Sequence, residues 1–115
     1  MILFYDGKNE DEITKQYKEL MMDLSEKYSD NEKMNIVFEI IDGRINEPRD
    51  IKFDSIEEFP LIYLYTNCLK EKKTIRFEPK DKNNTNIKEI ENFIFKNLGN
   101  MNNLNENDLK IKKLN

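Results

Sequence analysis

Ile36-Val37-Phe38-Glu39-Ile40-Ile41-Asp42-Gly43-Arg44-Ile45-Asn46-Glu47, resumed by Glu58-Phe59-Pro60, carries most of the information about the architecture. Residues 35–41 are largely β-branched or aromatic, the composition of a strand buried on both faces. Pro48 near the start of 47–53 suits the first position of a short helical turn. A strand, a loop and a turn therefore occupy the middle of the chain.

Upstream, residues 2–5 form a short apolar run closed by Asp6-Gly7, which reads as a buried strand. Ile13, Tyr17, Leu20, Met21, Leu24 and Tyr28 then fall on one stripe of a 3.6-residue helix. Asn9 can cap it, with Glu12 three residues on. Glu10, Asp11 and Glu12 suit the positive end of its dipole. Ser29-Asp30-Asn31 should end it. Strand, helix and strand in that order predict a right-handed crossover between parallel strands.

Downstream, residues 61–66 and 74–77 read as two strands of an antiparallel hairpin around the polar stretch 67–73. A closing helix follows, capped by Asn86 with Glu89 as its partner. Ile87, Ile90, Phe93, Ile94 and Leu98 share one face. Gly99 should stop it. The order βαβ-(α)-ββα predicts an α/β domain over residues 1–99, with a mixed four-stranded sheet and helices on both faces. Residues 100–115 hold six Asn and no continuous periodicity, which reads as an Asn/Lys-rich tail or linker.

Composition removes several function classes. A net charge of −4, with no Lys/Arg cluster among aromatics, argues against nucleic-acid binding. No apolar run approaches the roughly 20 residues of a membrane span, and residues 1–5 are too short for a signal-peptide core. The chain has no His and one Cys, so it cannot form an internal disulfide, a Ser-His-Asp triad or a Cys-His pair. No metal ligand set, cofactor motif or catalytic constellation is expected. The acidic run 10–12 could attract a hard cation, but adjacent helical carboxylates point apart, so helix-dipole complementation is the better reading.

The quoted stretch resembles the thioredoxin-like domains of protein disulfide isomerases. In that family a strand ends in an Ile-Asp step, a short loop carries Asn, and a Gly-Phe-Pro-type turn follows. Leu3-Phe4-Tyr5 is similar to the family's Glu-Phe-Tyr strand, and Tyr17-Lys18-Glu19-Leu20 to its Tyr-Glu-Glu-Leu helix. Asn92-Phe93-Ile94 is similar to the closing helix with its Phe-Ile pair. The resemblance covers residues 2–98 and implies a thioredoxin fold that starts at what would be the family's second strand, without the usual first strand and helix.

The departures bear directly on chemistry. Active members place Trp-Cys-Gly-His-Cys between the positions of Tyr5 and Tyr17. Here the stretch is Asp6-Gly7-Lys8-Asn9-Glu10-Asp11, and Gly7 and Glu10 fall near the two cysteine positions. Thiol exchange needs a thiolate, which neither residue supplies. The family's buried proton-relaying Glu is matched by Leu3, and a buried carboxylate without a role is costly. Cys68 lies far downstream and reads as an incidental thiol.

The resemblance also implies a cis bond before Pro60, with the backbone at Phe59 able to pair with extended substrate. The plainer reading of Pro60 is a conformational lock on the turn. The expected peptide-binding residues are Phe59 and Pro60 together with Asp6, Gly7 and Lys8 at the vacated site. Asn83-Asn84-Thr85 is an N-glycosylation sequon in a surface loop, which chance also explains in a chain with sixteen Asn.

The implied function is a redox-inactive spacer or weak client-binding module in protein folding, within a chaperone-like protein of the endoplasmic reticulum lumen. Its partners would be unfolded polypeptide and neighbouring domains of the same chain. The alternative is a fragment of an active isomerase whose Cys pairs lie in other domains. A calcium-storage domain would call for far stronger acidity.

Overall fold

The computed structural model describes residues 1–29, 36–49, 51–53, 58–66 and 74–102, the last four as backbone only. Cys68, the segment 67–73 and the tail from 103 lie outside the described residues.

Strand β1 (Ile2–Tyr5) occupies the middle of a four-stranded mixed sheet, because it is apolar on both sides of its pleat. It pairs in parallel with β2 (Glu39–Asp42), register Ile2 to Glu39 and Tyr5 to Asp42. On its other side it pairs antiparallel with β3 (Leu61–Tyr65), which pairs antiparallel with β4 (Thr74–Arg76). The spatial order is β2-β1-β3-β4. The parallel pair and the antiparallel pair are those expected from the sequence.

The period of two sorts the side chains into two cores. Leu3, Ile62 and Leu64 face helix α1 (Glu12–Tyr28) and helix α2 (Ile87–Asn102). Tyr17, Met21 and Leu24 of α1 and Ile90 and Ile94 of α2 are almost fully excluded from solvent there. Phe4, Leu61 and Tyr63 face the other way, onto Ile51, Phe53 and Phe59. Thus both described α-helices cover one face, and the expectation of helices on both faces is corrected. The opposite face is covered by Ile51, Phe53 and Phe59. Within 47–53 the described residues hold one turn bond, Ile51 N to Pro48 O at 3.5 Å, where the sequence suits a short helical turn.

Four local readings also change. Asp11, not Asn9, caps α1: its carboxylate accepts from Thr14 N at 2.8 Å. Asn9 N instead bonds Asp6 O at 3.3 Å, and this turn delays the helix by two residues. Hydrogen bonding from Thr14 holds the Asp11 carboxyl below its ordinary range. Next, β2 is an exposed edge and not a doubly buried strand: Ile40 is 38% exposed, and Val37, just ahead of the strand, 68%. The strand order leaves β2 with one neighbour, so its aliphatic composition does not translate into burial.

Asn86 caps α2 as expected, accepting from Glu89 N at 2.9 Å. The Glu89 carboxylate does not return the bond; it accepts from Lys80 N at 3.0 Å and ties the preceding loop down. Lastly, α2 runs through Gly99 to Asn102, into the expected tail. No described glycine adopts a positive φ, so Gly99 does not form a left-handed cap.

Candidate functional site

Parallel strands deliver their C-terminal ends to the same edge of the sheet, so the loops after β1 and β2 meet there. Gly43 N donates to Tyr5 O at 2.8 Å and extends the ladder by one bond. The Asp42 carboxylate then accepts from Gly7 N at 3.2 Å and from Arg44 N at 3.0 Å. Asn46 Nδ2 donates to Asp42 O at 3.2 Å and closes the turn. A side chain at Gly7 would put its Cβ 2.0 Å from Asp42 Oδ2, so this carboxylate needs a glycine opposite.

Asp6 is buried. Its carboxylate accepts from Lys8 N at 3.0 Å and from Arg44 Nη1 at 3.4 Å. Arg44 thereby links the first loop to the second. Beyond it opens a cleft of about 180 Å³ lined by Gly43, Arg44, Glu47, Phe53 and Phe59. The Phe59 ring lies so close over Gly43 that a Cβ there would stand 2.6 Å from it. Phe53 meets Phe59 edge-on, centroids 4.9 Å apart, and Phe4 supports Phe53 from within the core at 5.1 Å. Such tilted and edge-on contacts hold aromatic walls in place.

The Phe59–Pro60 bond is cis. Phe59 lines the cleft, whereas Pro60 is buried and lines a separate pocket of about 30 Å³. There it meets Tyr17, Arg76, Phe77 and Lys82. Lys82 Nζ donates to the Glu58 carbonyl and steadies the chain entering Phe59. Burial, and then the Arg76 cation, hold the Lys82 ammonium below its ordinary range.

Of the five sequence-expected peptide-binding residues, Asp6, Gly7 and Phe59 are brought together through the loop 42–44. Pro60 turns to the other pocket, and Lys8 contributes a backbone N–H while its side chain is exposed. Gly43, Arg44, Glu47 and Phe53 were missed. The Asp-Gly pairs at 6–7 and 42–43 were the available signal, since both close a strand at the same level of the sheet.

At the N-terminus of α1, where the sequence resemblance puts a vacated site, Asp11 provides the cap, and Lys18 pairs with Glu10. Asn83 is exposed in a 3-10 helix, Lys82–Asn84. The sequon hydroxyl of Thr85 donates to Asp81 O at 3.2 Å and lies 3.0 Å from Tyr17 Oη. Among the described residues no group of three or more His, Cys, Asp or Glu is placed to hold a metal ion. Nor is any described helix long and apolar enough to cross a membrane.

A buried polar cluster, also missed, joins the helices. Tyr28 donates its hydroxyl to Glu91, a residue of α2 that is only 6% exposed, and Lys27 Nζ lies 2.9 Å from the same carboxylate. Burial first, and then Glu91, push the Tyr28 hydroxyl well above the usual tyrosine range. Glu91 sits among apolar positions of α2, and periodicity alone assigns it no partner.

No protein-family model, curated protein or solved structure matches the chain.

Proposed function

We propose that this chain is a redox-inactive thioredoxin-like domain of a protein disulfide isomerase-like protein, one that holds extended or unfolded polypeptide weakly. The sheet order β2-β1-β3-β4, with β1 and β2 parallel and β3 and β4 an antiparallel pair, supports the fold reading. The endoplasmic reticulum lumen as its place rests on the sequence resemblance alone.

The observation that carries the binding reading is the aromatic-walled cleft between Phe53 and Phe59, beside the loop in which Arg44 meets Asp6. Apolar walls with a few polar groups at the rim are the usual make-up of a recognition site. A cleft of this size takes one side chain rather than a folded surface. The interaction should therefore be weak, with Kd micromolar or poorer, near −8 kcal/mol or smaller in magnitude.

The thiol argument is chemical. The sequence has no Cys before Cys68, and the acidic run 10–12 would disfavour a thiolate at the helix start. Two measurements test the proposal. Insulin reduction with excess dithiothreitol should stay at background; a rate that disappears in Cys68→Ser would overturn redox inactivity. A labelled unfolded polypeptide should shift backbone amides around Gly43 and Phe59, and Phe59→Ala should weaken binding about fivefold or more. Shifts confined to residues after Gly99, or none at high concentration, would leave a spacer only.

A further inference from the structure

The cleft has a charge asymmetry. Arg44, the cation in its wall, is committed to Asp6 at 3.4 Å. Glu47, at the rim, is exposed and has no ion-pair partner among the described residues. The Asp42 carboxylate accepts from two backbone N–H groups, Gly7 N and Arg44 N. Around the cleft, Asp6, Asp42 and Glu47 set three carboxylates beside Arg44. An anion approaching this rim meets excess negative charge. A cation meets an uncommitted carboxylate over aromatic rings.

From this we infer that the cleft selects a basic side chain, arginine or lysine, presented by an extended polypeptide. The inference rests on the polypeptide-binding reading and specifies its substrate class. The aliphatic stem of such a side chain packs on Phe53 and Phe59, and its charged head reaches Glu47. Aromatic faces attract cations through their quadrupole, and a long basic side chain covers apolar surface while keeping its charge at the edge. The paired Arg44 orders the rim without repelling the incoming head as an uncompensated cation would.

The test uses N-acetylated, C-amidated glycine peptides with one central residue: arginine, its neutral isostere citrulline, or glutamate. Binding is followed by amide shifts of Gly43, Glu47 and Phe59 in the full chain. The arginine peptide should bind about fivefold more tightly than the citrulline peptide, with the advantage shrinking in high salt. The glutamate peptide should bind most weakly.

Glu47→Gln, an exposed neutral replacement, should bring the arginine-to-citrulline ratio close to one. Equal binding of arginine and citrulline peptides would overturn the inference while the polypeptide-binding reading stood. Preference for glutamate, or an arginine preference that survives Glu47→Gln, would also overturn it. Absence of binding by every peptide would overturn both.

Discussion

The two faces of the sheet are built differently, although the same strands supply both. On one face, Leu3, Ile62 and Leu64 meet two regular helices, and side chains such as Leu24, Ile90 and Ile94 are completely excluded from solvent. On the other, Phe4 and Tyr63 meet Ile51, Phe53 and Phe59, and the rings of Phe53 and Phe59 remain half-buried around an open cleft. Helices bring a continuous stripe of side chains to a sheet, whereas on the other face the rings meet edge-on and leave an open cleft. The first face is therefore assigned to stability, and the second retains room for a ligand.

The largest expected effect lies under the helices. Leu24→Ala should cost about 3 kcal/mol, the usual cost of a buried leucine with its cavity. Phe53→Ala, although a larger truncation, should cost roughly half as much, because a half-buried ring loses less transfer energy. Chemical denaturation of both variants measures this. Equal losses would mean that the cleft face is as much a core as the helical one.

Glu91→Ala comes next. It removes the buried carboxylate that Tyr28 and Lys27 meet and should cost about 2 kcal/mol, the usual cost of a hydrogen bond to a charged group. Glu91→Gln, which keeps an acceptor oxygen, should cost less. A neutral result for Glu91→Ala by the same denaturation would show that the helices are joined by apolar packing alone.

A pH effect of similar or smaller size is expected at the amino terminus of a chain that begins at Met1. The ammonium donates to Val37 O at 2.7 Å, but burial, only partly opposed by Glu39, lowers its pKa from 8.0 to about 6. Between about pH 6 and 8 the unfolded chain binds more protons here than the folded one. Stability should therefore rise with pH across that window, by up to about 2 kcal/mol. Below it both states are protonated and the penalty is constant; above it the penalty is gone. Comparing melting at pH 5.5 and 8.5 with and without Nα-acetylation isolates the term, and the acetylated chain should lack it.

The smallest stability change, on the order of 1 kcal/mol, is expected for Gly43→Ala, where the new methyl displaces the half-buried Phe59 ring. Its effect on peptide binding should be larger than its effect on melting. A Gly43→Ala chain that binds as before would break the link between Phe59 and the cleft. This variant therefore separates the two faces most cleanly.

Much of the scaffold was legible because it is local. The stripe from Ile13 to Tyr28 and the stripe from Ile87 to Leu98 report which side of each helix is buried. The short β-rich runs at 2–5 and 61–65 report strands. The cap on α1 slipped from Asn9 to Asp11 because a turn bond from Asn9 to Asp6 competes for the same residues, and composition does not rank such bonds. Half of the site was readable as well: Asp6, Gly7 and Phe59 were named from sequence. Their neighbours Gly43, Arg44 and Phe53 were not, because nothing along the chain states that the loop after β2 folds back onto the loop after β1.

By itself, the sequence determined the α/β class, the faces of both helices and the lack of any cysteine before position 68, since these follow from periodicity and composition. The tertiary structure alone decided that β2 is an edge, that both described α-helices share one face, and that Glu91 lies beneath Tyr28. It also decided that a glycine, an arginine and two phenylalanines converge into a cleft. The physical reason is that burial depends on which elements become neighbours. Packing of segments tens of residues apart sets those neighbours, and a one-dimensional pattern of apolar residues records only that a face must be covered, not by what.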